Sequence, residues 1–285
     1  MMKSLATFIL VFLFTISIQA QKKPAYKLYN AKGKKVSYKK MLKKLTKADI
    51  VLFGEHHNNP ITHWLQLEVT KDMAKKRELV IGFEMLEADN QKQLDSYMNG
   101  TINQKAFDTL ARLWRNYKTD YKPIVDFAKK NKINAIAANV PRRYAKIVYK
   151  GGFKALDTLP EIDKSWIAPL PVAYDKTLPG YVKMIEMMGG HGGDNLPKAQ
   201  AIKDATMAHF IFKNRKSKQL FIHYNGSYHS DNYEGIYWYL KKANPNLNII
   251  TITTEDNELV SKFNKESKNK ADFIIQVNAN MTKTY

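Results

Sequence analysis

Apolar residues fall in short, nearly unbroken runs spaced along the chain. Ile50–Phe53, Leu79–Phe83, Ile133–Ala137, Leu220–Tyr224, Asn248–Ile252 and Phe273–Val277 are rich in β-branched and aromatic side chains. Such runs predict strands covered on both faces, as in a parallel sheet. Between them the apolar spacing becomes helical. From Pro60 to Lys75 it picks out Ile61, Trp64, Leu65, Leu67 and Met73, with Asn59 placed to cap and Pro60 suited to the first turn. Strands alternating with helices predict an α/β fold with a mainly parallel central sheet flanked by helices.

Two stretches exceed a single connecting helix. Residues 86–130 read as helical and carry Trp114, Tyr117 and Tyr121. Residues 144–215 are longer, with Pro160, Pro169, Pro171 and Pro179, then Gly189-Gly190-His191-Gly192-Gly193. Both are expected as helical insertions over one edge of the sheet, the Gly-rich piece being a candidate mobile loop. No solenoid repeat or low-complexity tract breaks the rhythm, so residues 21–285 are expected to form a single domain with a substantial core.

Residues 1–20 have a different pattern. Lys3 precedes an apolar run from Leu5 to Ile18, and Ala20 precedes a polar switch at Gln21-Lys22-Lys23. This is the layout of a secretory signal peptide, with cleavage expected after Ala20. The run is shorter than the roughly 20 residues that span a bilayer, which argues against an uncleaved anchor. The chain has no cysteine, which removes disulfides, thiolate metal sites and a lipid-bearing residue after the signal. The expectation is export to the periplasm or the exterior, with no transmembrane segment or lipid anchor after signal cleavage. Net charge is +20, which suits anionic partners. Nucleic acid is not expected, because the chain is read as exported and has no recognition motif. The lysines are dispersed along the sequence, so most are read as solvated surface, with part of the charge available to attract a small anionic ligand.

In open α/β sheets, ligands sit beyond the carboxyl ends of the strands. One predicted strand runs into Gly54-Glu55-His56-His57, a second into Gly82-Phe83-Glu84, and a third into Gly226-Ser227-Tyr228-His229. A Gly-x-x-His pattern thus occurs twice, the glycine read as allowing a sharp turn. His57, Glu84 and His229 together could hold a divalent metal such as Mn, Zn or Co. With Glu55 they could equally serve as acid, base and orienter without metal. The plainer alternative is that each histidine caps a helix or bonds a loop. Two such patterns with a glutamate on a third strand favour a site. His56 and His57 should point different ways, with His57 inward. His63, one to two turns into the next helix, either faces back to the site or lies on the surface.

Other candidates are weaker. Arg142, after Asn139-Val140-Pro141, could clamp a carboxylate or phosphate, or be a surface arginine. Gln200, Asp204 and Met207 share a helical face, and Asp204 could orient a histidine or simply pair on the surface. Met184, Met187 and Met188 precede His191, and Tyr174 and Tyr181 lie in the same insertion. Sulfur, imidazole and phenol can all meet a haem iron. Such a stripe is more often core packing, and with 16 tyrosines no single one stands out.

The order of these motifs resembles the ChaN family. The likeness rests on Gly54-Glu55-His56-His57 with Asn59-Pro60 and His63, then Gly82-Phe83-Glu84-Met85, Leu113-Trp114 and Tyr121-Lys122-Pro123. It continues through Asn139-Val140-Pro141-Arg142, Ala199-Gln200, Lys203-Asp204-Ala205, Met207-Ala208 and Gly226-Ser227-Tyr228-His229, covering roughly residues 30–255. The resemblance implies an iron-regulated, haem-binding uptake protein of the cell envelope, with a tyrosine ligand to haem and haems stacked across a homodimer. It also implies kinship with the Tiki metalloproteases, TraB proteins and erythromycin esterases, and maps His57, Glu84 and His229 onto their shared constellation. There are three departures. The lipid-bearing cysteine common in the family is absent, Tyr228 stands where a glycine is usual, and Lys203 replaces a frequent arginine.

Three functions follow as expectations. One is haem binding linked to iron uptake. A second is a protease or esterase in which His57, Glu84 and His229 act on metal-bound or free water while Arg142 holds an anionic group. The third is a binding module whose former catalytic residues now only stabilise loops.

Overall fold

The computed structural model describes residues 23–187, 189 and 193–285. The expected signal segment, Met188 and His191 lie outside the described residues. Seven strands form one sheet: β1 Tyr26–Asn30, β2 Ile50–Glu55, β3 Leu79–Glu87, β4 Asn134–Asn139, β5 Leu220–Gly226, β6 Ile249–Asn257 and β7 Phe273–Asn278. Their order is β1-β7-β6-β2-β5-β3-β4. Every neighbouring pair is parallel except β1 with β7. Six strands fall on the apolar runs. β1 reads Tyr-Lys-Leu-Tyr-Asn and buries only Leu28 and Tyr29. An edge strand needs no continuous apolar run, so it left no such signal in the sequence.

Alternation along each strand sends successive residues to opposite faces, and both faces are covered. On one face Val51, Phe53, Ile81, Ile222 and Tyr224 pack under Leu65, Val69 and Met73 of the helix Pro60–Ala74. On the other, Ile50, Leu52, Val80 and Phe221 meet Met207, Ala208 and Ile211 of the helix Asn195–Asn214. Full burial of each such side chain contributes roughly 1.5–3 kcal/mol, which explains why the strand runs are apolar without alternation. The Pro60–Ala74 helix starts as expected: Asn59 Oδ1 accepts from Thr62 N at 3.2 Å, with Pro60 in the first turn.

The two long insertions flank the β4 side from opposite faces. Helices Gln91–Met98, Gln104–Leu110 and Lys122–Lys130 join the first core, Asn195–Asn214 packs on the second face, and Arg142–Gly151 packs on the outside of Asn195–Asn214. Gln91 also satisfies the open edge of β4. Its Nε2 donates to Ala135 O at 3.0 Å and its Oε1 accepts from Ala137 N at 2.7 Å. That pairing blunts an otherwise exposed sheet edge.

Candidate functional site

β2, β5 and β3 lie side by side, so the residues just past their ends meet at one level. Glu55 pairs in register with Gly226, and Phe83 with Tyr224. The two glycines are there for close approach. A Cβ on Gly226 would stand 2.9 Å from His57 Cε1 and Nε2. A Cβ on Gly54 would stand 2.8 Å from Ile252 O and 3.0 Å from Ser227 Cα. Gly226 has φ −56°, open to any residue, and Gly54 is not at positive φ. The sharp-turn reading of both glycines is therefore corrected: they remove a side chain where another group must fit.

Glu84 is the hub. Its Oε2 accepts from Gly226 N at 2.6 Å, while its Oε1 lies 3.3 Å from His229 Nε2 and 3.9 Å from His57 Nε2. Burial opposes its charge, but the His229 cation and its hydrogen bond, with His57 behind, lower the Glu84 carboxyl to about 2. His229 Nδ1 donates to Asp204 Oδ1 at 2.5 Å. Burial opposes the imidazolium here too, yet Glu84 and Asp204 flank it and raise it to about 10. His57 Nδ1 donates to Glu55 Oε1 at 2.9 Å. Its side chain is 34% exposed, making it the open member of the group. Against burial, the Glu55 bond and the Glu84 charge raise it. The edge of Trp114 packs on it, ring centroids 4.8 Å apart.

A second polar layer holds Glu55 from behind. Tyr121 OH donates to Glu55 Oε1 at 2.7 Å and Gln66 Nε2 to Oε2 at 2.6 Å. His63 does face back, but beneath the site rather than into it. Its Nδ1 is 3.4 Å from Glu55 Oε2 and its Nε2 3.4 Å from Asp120 Oδ2. Burial opposes its charge, and Glu55 and Asp120 still raise it to about 9. Asn116 Nδ2 donates to His57 O at 2.9 Å and to Asp120 Oδ2 at 2.7 Å. Sequence reasoning missed Gln66, Asn116 and Asp120. The only signal was Gln66 standing one turn from His63; Asn116 and Asp120 arrive on an irregular segment that ends in the π-type turn Tyr117–Tyr121.

The remaining candidates divide. Asp204 orients His229, and Gln200 Nε2 lies 2.9 Å from His229 Nδ1. Tyr181 is buried with its OH 3.5 Å from Asp204 Oδ2, so it reaches the group through Asp204. Tyr174 packs behind Tyr181, ring centroids 5.4 Å apart. Asn139 ends β4, with its Oδ1 buried and unpartnered among the described residues. Arg142 is exposed at the head of the helix Arg142–Gly151 and is in no ion pair of the described residues. Its neighbour Arg143 is the one engaged, with Asp89 at 2.5 Å. Tyr228, the departure noted above, donates from its OH to Gly180 O at 2.6 Å and ties the helix Pro179–Met187 to the rim.

A cavity of about 570 Å³ opens beside His57, lined among others by His56, Tyr228, His229, Lys270 and Tyr285. That volume suits a small molecule. His56 turns away from His57, its Nδ1 3.7 Å from Asp256 Oδ2. Burial lowers its pKa, helped by Lys283 and Lys270 and opposed by Asp256, which favours the neutral form of the ring. Residues near Tyr285 form one wall. Thr284 N donates to Asn58 O at 2.9 Å, and the Arg115 guanidinium lies 3.7 Å over the Tyr285 ring. Among the described residues, no group of three or more His, Asp or Glu is spaced to hold a metal ion. Glu84 Oε1 lies within ion-pair distance of both His57 and His229.

Fold and site define an α/β protein whose histidines and carboxylates converge past three adjacent parallel strands. A family model described as haem-binding uptake, Tiki superfamily, ChaN matches residues 41–240, and the chain belongs to that family. Among solved structures it is similar to one described as cofacial heme binding to ChaN of Campylobacter jejuni. That match has 19% identity over 88% of this chain and 96% of the other, with TM-score 0.64. A Bacillus cereus protein matches at 14% identity over 84% and 90%, with TM-score 0.52. A succinoglycan biosynthesis protein matches at 11% identity over 84% and 90%, with TM-score 0.55. At these identities the likeness shows the fold. No curated protein sequence matches.

Proposed function

We propose that this chain binds haem in the cavity beside His57, as an exported protein serving iron uptake. Family membership supports haem as the ligand, and the observation that carries the reading is His56. It offers an imidazole, 39% exposed, on the wall of a cavity of ligand size, where burial favours its neutral form. Neutral imidazole is the form that donates to iron. The donor set fits in other respects. The basic chain suits carboxylate groups, and Tyr228 and Tyr285 offer flat apolar area. Tyr174 and Tyr181 suit the role less well, since burial raises both phenols and disfavours the phenolate. When bound, haem would supply a redox-active iron and two anionic carboxylates. His56 would hold the iron, the basic surface would draw the carboxylates, and the Glu84 group would keep the strand ends rigid.

The hydrolase reading has less support. A carboxyl held at about 2 is a weak base at neutral pH, and an imidazole held at about 10 is a weak acid. Titration of the purified chain with haem, followed in the Soret band, tests the proposal: a saturable shift is expected, and no saturable change defeats it. Export predicts a mature N-terminus at Gln21 by mass spectrometry of the envelope fraction. The uptake role predicts that cells lacking the chain grow worse on haem as iron source. By likeness to the cofacial arrangement named for the Campylobacter jejuni protein, haem loading is expected to bring two copies together, read by size-exclusion chromatography.

A further inference from the structure

Lysines read above as dispersed are in fact concentrated in one stretch, which the fold places at one end of the sheet. Between residues 31 and 48 stand eight lysines and no acidic residue. All eight are exposed. The lysine ion pairs of the described residues are made elsewhere, by Lys71, Lys75, Lys118, Lys122, Lys164, Lys270 and Lys283. The helix Tyr38–Leu45 sorts its residues sharply. Met41, Leu42 and Leu45 are buried, while Lys39, Lys40, Lys43 and Lys44 face water. Ser37 Oγ caps it by accepting from Lys40 N at 3.2 Å.

This helix leads through Lys47 into the first residue of β2. Lys40, Lys44 and Lys47 border a cleft with Asn248 and Asp272, at the starts of β6 and β7. The basic surface therefore lies at the N-terminal end of the parallel strands, and the His57 cavity lies at the other. Six residues of β2 at about 3.3 Å each separate the two ends by roughly 20 Å. Arg77 braces the same end, donating to Thr46 O at 2.6 Å and Lys218 O at 2.9 Å. Lys76, Lys216 and Lys218 are exposed beside it.

We propose that this end docks on an anionic lipid bilayer, leaving the cavity facing away from the membrane. Clustered lysines are drawn to the negative surface potential of such a bilayer within a Debye length. Lysine suits a diffuse sheet of headgroups, because its ammonium is a hydrated point charge rather than a bidentate fork. A nucleic-acid surface would draw on arginine and stacking aromatics. The 31–48 stretch has no arginine, and its single aromatic, Tyr38, is half-buried and bonded to Asp72 at 3.1 Å.

Co-sedimentation of the full chain with vesicles tests this. Phosphatidylcholine vesicles report binding through the apolar N-terminus alone, and vesicles with added phosphatidylglycerol report the charge. Binding to the second should exceed the first by about tenfold in about 50 mM salt, and lose that advantage in about 500 mM salt. K39Q/K40Q/K43Q/K44Q should abolish the advantage. K92Q/K105Q/K146Q/K154Q, which removes as many exposed lysines elsewhere, should change binding less than about twofold. Equal loss in both variants would assign the binding to net charge and overturn the proposal. So would equal binding to both vesicles, or tighter binding to duplex DNA than to either.

Discussion

His57 follows β2 and Gly226 ends β5, and the imidazole of the first occupies the space a side chain on the second would need. A Cβ at position 226 would stand 2.9 Å from His57 Cε1 and Nε2. Each Gly-x-x-His segment therefore serves the other: the glycine of the second seats the histidine of the first. Gly226→Ala keeps the N–H that Glu84 accepts but displaces His57. A loss of about 1–3 kcal/mol is expected from overpacking, measured by urea denaturation. The His57 ring resonances should also move in NMR spectra. An unchanged His57 environment would show that the contact is slack.

Glu55 takes hydrogen bonds from His57, Tyr121 and Gln66 and faces the buried His63. Glu55→Gln leaves the His63 cation poorly compensated. Breaking a buried pair in this way costs roughly 3–5 kcal/mol. Tyr121→Phe removes one hydrogen bond and should cost about 1 kcal/mol. Chemical denaturation of both variants checks the ranking, and similar losses would contradict it.

His63 and His229 are raised to about 9 and about 10 in the folded chain, against about 6.5 unfolded. Their stabilising contribution is complete below about pH 6.5 and is lost as pH rises through the folded values. Glu84 is lowered to about 2 from 4.5. Its contribution is present above about 4.5 and is lost as pH falls towards 2. Melting temperature is thus expected to peak between about pH 4.5 and 6.5 and to fall on both sides. A rise from pH 7 to 10 would contradict the ion-pair geometry.

Tyr228 OH donates to Gly180 O, and Gly180 N donates to Glu234 Oε2. Tyr228→Phe should loosen the helix Pro179–Met187 with little global effect, since one hydrogen bond is worth about 1 kcal/mol. Faster amide exchange confined to residues 179–187 is the expected result. Unaltered exchange there would mean that the Glu234 contact alone holds the helix.

The alternation of apolar runs and helical spacing disclosed the sheet, because strands buried on both faces leave an unbroken signal. The same runs pointed to the strand ends, and so to Glu55, His57, Glu84 and His229. Asp204 was legible through its helical face. The reason for Gly226 was not, because the ring that fills its space belongs to a segment far away in sequence. Asp120 and Asn116 were hidden for a related cause: they reach His63 and the His57 carbonyl from an irregular segment with no periodicity to read. His56 was read only as the neighbour that points elsewhere. Its value as a donor depends on a cavity wall completed by Lys270 and Tyr285, which pattern reading does not assemble.

The most direct measurement of the central claim is a haem titration comparing the parent chain with His56→Ala and His57→Ala. The account predicts a saturable Soret shift for the parent. It predicts at least a tenfold weaker and spectrally altered complex for His56→Ala, matching the loss of a metal-donating imidazole. His57→Ala should retain the parent's band position. Unchanged affinity and spectrum in His56→Ala would contradict the account and place haem away from this cavity.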